Sequence, residues 1–199
     1  MLLTTMLTHL IHAQDMLTIS AGYGSENNVG NNGINASAGY QIYVGKRLFL
    51  ESELRYFTTS VGNQYHYKKN RSFPGEQRRY NVLFLSENLG YSIGDADAFH
   101  INLKTGLSIM YQNYKLFSGY TDTMIFRNNT VEFVRTGVQY DEGKRLEVGI
   151  NAGVAINIPI NRTSFLGVGL DTYSRDIPLQ FTQAYLLFKK RLTSKTRKG

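Results

Sequence analysis

The chain has 199 residues and contains no cysteine, only 3 prolines and only 4 histidines. The missing thiols exclude disulfides, cysteine nucleophiles and cysteine-ligated metals. They leave the compartment open, because exported proteins need not use disulfides. No stretch approaches about 18–20 consecutive apolar residues, so no transmembrane helix is predicted. What the chain does have is 19 glycines, 14 tyrosines and 11 phenylalanines, a mix that suits strands and turns better than a helical bundle. The length suits one domain.

The formal charge is +7, unevenly spread. The C-terminal stretch KKRLTSKTRKG carries Lys189, Lys190, Arg191, Lys195, Arg197 and Lys198 and no acid. A second basic cluster runs from Lys68 to Arg79. Neither interleaves cations with aromatics on one ordered face, so nucleic-acid binding is not predicted. The C-terminal stretch reads as a solvated basic tail, assigned to residues 191–199. At the other end, MLLTTMLTHLIHAQD resembles a signal peptide with its basic start missing. An apolar run ends at Ala13, before Gln14 and Asp15. Residues 1–14 are assigned to this leader, residues 15–190 to the folded domain, and export is expected.

Eight segments read as strands bounded by turn chemistry, beginning at Met16, Asn35, Arg47, Tyr80, Phe99, Leu146, Ser164 and Gln180. LEVGINAGVAINIPI is representative. Leu146, Val148, Ile150, Ala152, Val154, Ile156 and Ile158 fall on one face, and Glu147, Gly149, Asn151, Gly153 and Asn157 on the other. Tight turns at Gly45-Lys46, Gly94 to Asp97 and Asn161-Arg162 alternate with mostly longer links. Those after the first, third and fifth strands are the long ones. In an up-and-down barrel this alternation puts the turns at one rim and the loops at the other, as in outer-membrane barrels.

The two faces discriminate lipid from water. The apolar faces are free of charge through their centres. The polar faces are rich in Gly, Ser, Asn and Gln, with a few charges of both signs: Glu51, Glu53, Arg55, Lys104, Glu147 and Asp171. A water-facing surface would carry many more lysines and glutamates. Few, mixed charges fit a small packed lumen, where each must be paired. The apolar face therefore meets lipid. The fourth strand departs from the pattern, because Glu87 falls on the side of Leu83, Leu85 and Leu89. Either that side points inward or a bulge near Ser86 changes the phase. Tyr23, Tyr40, Tyr56, Tyr80, Tyr91, Tyr111 and Tyr173 lie near strand ends, and outward ones there would form interfacial girdles.

The HAQD junction, the glycine-studded strands SAGYG, LEVGINAGVAINI and FLGVGLDTYS, and the last strand QAYLLF carry a resemblance. The chain resembles the small outer-membrane β-barrel family of Gram-negative bacteria, the OmpA/OmpX-like eight-stranded type. More closely it resembles the outer membrane protein beta-barrel domain of Bacteroidetes. In that family the last strand ends in an aromatic, matched by Phe188 beside Leu186. The basic tail departs from that ending. The resemblance implies an all-β, eight-stranded antiparallel up-and-down transmembrane barrel in the cell outer membrane. It also implies insertion by the assembly machinery and a plugged interior rather than an open, porin-like pore.

Chemistry is sparse. His9 and His12 lie in the leader and His100 follows a turn, which leaves His66 as the catalytic candidate, with Ser60 or Ser72 and Asp122. Nothing in the spacing requires them to converge, and no enzyme is predicted. Asp122, Asp141 and Glu142 lack calcium-loop spacing, so neither metal nor cofactor is expected. The candidate binding surfaces are two. One is the basic loop, with Lys68, Lys69, Arg71, Phe73, Arg78 and Arg79 facing lipopolysaccharide phosphates. The other is a hairpin turned at Asn128-Asn129, presenting Ile125, Phe126, Val131 and Phe133. The expected protein is a monomer in contact with outer-membrane lipid, structural or surface-binding. The alternatives are a soluble lipocalin-like carrier with reversed faces, a lipid-modifying enzyme and a conducting pore.

Overall fold

A computed structural model describes residues 15–26, 31–44, 46–61, 67–68, 71–72, 78–95, 98–127, 130–175 and 180–192. In chain order the strands are β1 (Asp15–Glu26), β2 (Asn31–Val44), β3 (Leu48–Val61), β4 (Tyr67–Lys68), β5 (Arg71–Ser72), β6 (Arg78–Gly94), β7 (His100–Arg127), β8 (Thr130–Asn161), β9 (Ser164–Ser174) and β10 (Phe181–Leu192). The eight long strands form a closed antiparallel barrel, in which β1 pairs with β10 from Asp15↔Leu192 to Glu26↔Phe181. Closure removes the sheet edges that an open sheet would expose. The short β4–β5 pair stands apart, in the β3–β6 connection. No described residue is helical.

The turns between β2 and β3, β6 and β7, and β8 and β9 share one rim with the start of β1 and the end of β10. Gly94 closes β6 there with φ 103°, a left-handed value that favours glycine. The opposite rim carries the longer links. Two of these are shorter than composition indicated. The Asn- and Gly-rich run after the first strand is largely strand, since β1 reaches Glu26 and β2 starts at Asn31. The run after the fifth segment is also strand. The β7–β8 ladder continues to Arg127↔Thr130, with register shifts at Phe117/Gly119 and Thr121/Asp122. Cross-strand pairing overrides turn-like composition at the first place, while the second is an extension of the fifth and sixth segments of the kind the hairpin about Asn128-Asn129 implied. At the C-terminus β10 takes in Arg191 and Leu192, residues that the sequence reading assigned to the tail.

Side chains alternate out and in around the barrel, as period two requires. Outward lie Leu17, Ile19, Leu54, Leu107, Val148, Ile150, Val168 and Leu186, among others, with Leu107 63% and Leu186 68% exposed. Strand β6 keeps this phase without a bulge: Leu83, Leu85 and Leu89 point out, while Val82, Phe84, Ser86 and Asn88 point in. Glu87 therefore stands among the outward leucines. Tyr40 and Tyr91 are outward toward the turn rim, and Tyr23, Tyr56 and Tyr111 toward the loop rim. Tyr80 and Tyr173, placed with them from the sequence, are buried inside instead. Their parity matches that of the inward Val82 and Asp171.

Candidate functional site

The interior is filled in three layers. Near the turn rim Met16, Tyr43, Phe49 and Phe165 pack together, with His100 edge-on to Phe165 at 5.4 Å. Near the loop rim Phe57, Tyr80, Val82, Phe84, Met110, Tyr173 and Phe181 form a second apolar layer, in which Phe84 lies 4.4 Å from Tyr173 and 5.3 Å from Phe181. The charges sit between. Inward Gly, Ser, Asn and Gln had suggested a polar plugged lumen. The aromatic layers are the part of it that composition obscured, and their signal was the inward parity of Phe49, Phe57 and Tyr43.

In the middle layer Arg55 donates from Nη2 to Glu53 Oε1 at 2.6 Å and to Asp171 Oδ2 at 2.7 Å, and from Nη1 to Gln183 Oε1 at 3.0 Å. Its guanidinium lies 4.4 Å from the centre of the Tyr185 ring, and the Tyr185 hydroxyl donates to Asp171 Oδ1 at 3.0 Å. Lys104 Nζ lies 3.1 Å from Glu51, 2.9 Å from Glu53 and 3.2 Å from Asp171. Five of the six anticipated interior charges thus form one cluster. The sixth, Glu147, lies apart toward the loop rim, where it accepts from Gln112 at 2.9 Å, Arg175 at 2.8 Å and Arg145 at 3.2 Å.

Lys189 belongs to this interior as well. It was grouped with the solvated tail, yet it is 3% exposed and donates to Gln41 Oε1 at 2.9 Å. Its parity with Gln183 and Tyr185 marks it as inward. With Lys189 included, three carboxylates face three cations at mid-barrel, so the layer is charge-balanced. Glycines make the room. A Cβ on Gly153 would come 2.0 Å from Asp171 Oδ1, and one on Gly169 2.4 Å from the Tyr185 ring. The void left among Glu51, Glu53, Arg55, Lys104 and Lys189 is about 20 Å³, room for about one water. A lipocalin-like chamber for an apolar ligand is not what these side chains build.

The anticipated binding surfaces lie beyond the barrel wall. Pairing of β6 with β7 ends at Arg79↔Lys115, and pairing of β9 with β8 begins at Ile150. From Leu116↔Asp141 to Arg127↔Thr130 the β7–β8 hairpin has no further strand on either edge among the described residues. At about 3.3 Å per residue this blade projects about 40 Å. Near its tip Phe126 is 78% exposed, beside exposed Met124 and Val131. The side chains of Ile125 and Phe133 are not described. In the basic loop, Lys68 and Arg71 lie on β4 and β5, and Arg78 and Arg79 begin β6. Arg79 is exposed and lines an outward groove with Lys115 and Glu142. Lys69, Phe73 and the candidate His66 lie outside the described residues. Of the residues suggested to join His66, Asp122 lies on the blade, and the side chains of Ser60 and Ser72 are not described. No group of acids and histidines suited to a metal occurs among the described residues.

An apolar exterior around a charged, packed interior on eight antiparallel strands defines the class: the small outer-membrane type of β-barrel. Among the solved structures that the chain resembles are barrels of this architecture. Neisserial surface protein A matches at TM-score 0.53 and 9% identity, over 90% of this chain and 97% of that one. Ail, the attachment invasion locus protein of Yersinia pestis, solved with the heparin analogue sucrose octasulfate, matches at 0.52 and 8%, over 90% and 97%. The outer membrane protein OprG from Pseudomonas aeruginosa matches at 0.51 and 10%, over 92% and 98%. At such identities the likeness is one of fold. Neither a protein-family model nor a curated protein sequence matches this chain.

Proposed function

We propose that this chain is an integral protein of the bacterial outer membrane that holds a two-stranded blade and a basic loop above the bilayer as a binding surface. The observation that carries the reading is the inverted polarity of the barrel: a charge-balanced cluster inside, leucine, isoleucine and valine outside. A row of outward aliphatic residues bounded by tyrosines at both rims matches a hydrocarbon slab with its two interfaces. On this reading the turn rim faces the periplasm and the long links face outward. The leader at 1–14 directs export, the assembly machinery inserts the barrel, and the Bacteroidetes-type resemblance supplies the cellular setting.

The binding role is supported by the blade, because a hairpin that pairs with no further strand among the described residues, with an exposed Phe126 near its tip, offers apolar contacts beyond the barrel. The basic loop suits an anionic surface such as lipopolysaccharide phosphates. The complex of Ail with a polysulfated sugar is a precedent for polyanion binding on this fold. We assign no catalysis, and the filled lumen supports a plugged barrel rather than a pore.

The test is folding of the chain from Gln14 onward, with and without detergent or lipid vesicles. It is followed by far-ultraviolet circular dichroism and by the gel shift between unheated and boiled samples. Sheet structure with a heat-sensitive fast band only in detergent or lipid is the expected result. A monodisperse sheet protein in plain buffer would overturn the reading.

A further inference from the structure

Just above the aliphatic belt, the outer wall of β6, β7 and β8 is hollowed into a groove of about 260 Å³, room for many waters. Its height follows from the ladder. Leu83, Tyr111 and Leu146 make one outward rung, with Leu85, Ile109 and Val148 beneath it. Asn81, Asn113 and Lys144 make the next rung toward the loops, and Arg79, Lys115 and Glu142 the one beyond. These two rungs lie about 7 and 13 Å from the Tyr111 rung along the strands, and nearer in height because the strands tilt. In a bilayer that is the head-group layer, about 5–8 Å thick outside the hydrocarbon.

The groove is cationic and short of partners. Arg79 and Lys115 stand directly opposite each other, a placement of like charges that destabilises a ladder. Lys115 lies 2.5 Å from Glu142 and 4.3 Å from the centre of the Tyr140 ring, so the one acid among these residues is already neutralised. Arg79 and Lys144 are exposed, with no ion pair or hydrogen bond among the described residues. Asn81 is held in one orientation. Its Oδ1 accepts from Thr58 Oγ1 at 2.7 Å and from the Tyr56 hydroxyl at 3.2 Å, which leaves its amide Nδ2 as a donor without a partner among the described residues. Strand β1 is diametrically opposite β7, four strands away in either direction. There the rung above Tyr23 carries Ser25, Asn32 and Thr182 and no charge.

We propose that this groove binds the phosphate of a lipid head group in the outward leaflet, of the monoester kind that lipopolysaccharide carries. The proposal rests on the membrane reading above and moves recognition from the basic loop to the barrel wall. A phosphate monoester brings about two negative charges and three free acceptor oxygens. It offsets the opposed cations of Arg79 and Lys115. The Arg79 fork suits two of its oxygens, and the Lys144 ammonium and the Asn81 amide supply donors one rung below. These side chains point out of the wall, so whatever the phosphate is attached to lies against the Leu83, Tyr111 and Leu146 rung. Acyl chains find an apolar surface there, whereas a soluble anion makes no use of it. A zwitterionic head group brings its own ammonium to a patch that already has an excess of cations. The lipid phosphate is the ligand that fits both the charge and the height.

The absence of native tryptophan makes the test direct. Tyr111→Trp places a single fluorophore on the rung beneath the groove, and Tyr23→Trp places one toward the same rim on the opposite wall. Each variant is folded into vesicles of phosphatidylcholine with brominated chains, which quench tryptophan on contact. Lipid A with unbrominated chains is then mixed in, and the recovered fluorescence reports how often it sits beside the probe. The expected preference for lipid A over phosphatidylcholine is about tenfold with Tyr111→Trp, corresponding to about 1.4 kcal/mol, and absent with Tyr23→Trp. Adding Arg79→Gln should lower it to about threefold, and Arg79→Gln with Lys115→Gln should remove it. Excess inorganic phosphate outside the vesicles should leave it intact. Its loss to inorganic phosphate would mean that a soluble anion fills the groove, and would overturn the lipid assignment. Folded, vesicle-bound protein with equal preference at both positions, or a preference indifferent to the two substitutions, would sink the site alone. Failure to show the heat-sensitive band in vesicles would sink the membrane reading and the site with it.

Discussion

Replacing Lys104 by methionine tests the interior most sharply. The substitution keeps the length of the side chain and removes its charge, leaving Glu51, Glu53 and Asp171 to share Arg55 and Lys189. In the native barrel Lys104 Nζ lies 2.9–3.2 Å from all three carboxylates. At an effective dielectric of about 20, each pair at that separation attracts by about 5 kcal/mol. Desolvation of the ammonium cancels most of that sum. Removing one partner of a buried pair costs about 3–5 kcal/mol net, chiefly because the charges left behind are uncompensated. At a denaturant slope of about 2 kcal/mol per molar, the urea midpoint should fall by about 2 M. The folded fraction, read from the heat-sensitive band in vesicles over a urea series, measures it. The double variant Lys104→Met, Glu53→Gln restores the charge balance and should recover about 1–3 kcal/mol of the loss. A single variant within about 0.5 kcal/mol of the native barrel, or a double variant no better than the single, would refute the balanced cluster.

Four further outcomes follow from the same geometry. Gly153→Ala would set a methyl against Asp171, so the stability read from the urea series should fall by about 1–3 kcal/mol with the circular dichroism spectrum unchanged. Asn151→Lys adds an unpaired cation to the lumen and should impair folding in detergent and lipid alike, whereas a water-facing position would tolerate it. Val154→Lys, on the lipid face, should cost about 2–4 kcal/mol in bilayers. In planar bilayers the folded protein should give no stable single-channel steps, because a void of about 20 Å³ is not a conduit. Steady conductance would show that the layers open.

Much of this protein is local and was therefore legible in order along the chain. Strand periodicity assigns each side chain to a face without knowing the partner strand. Thus Val148 and Ile150 point out and Glu147 and Asn151 point in, as alternation alone requires. Turn chemistry at Gly94 and at Asn161-Arg162 likewise needs only neighbouring residues. The charge-poor outward face and the mixed charges of the inward one follow from composition read through that parity.

What remained depends on closure. Glu53 and Arg55 are on β3, Lys104 on β7, Asp171 on β9 and Lys189 on β10, and only the curvature and stagger of the closed sheet bring them to one height. The same stagger leaves Glu147 outside the cluster and stacks the inward aromatics as lids above and below it. Asn- and Gly-rich segments became strand because partners were there to pair with them. Glu87 is the clearest case. Its sequence phase was ambiguous between a bulge and an inward leucine face. Unbroken pairing of β6 with both neighbours settles it outward, because a ladder without a bulge cannot change the face of one residue without changing that of all.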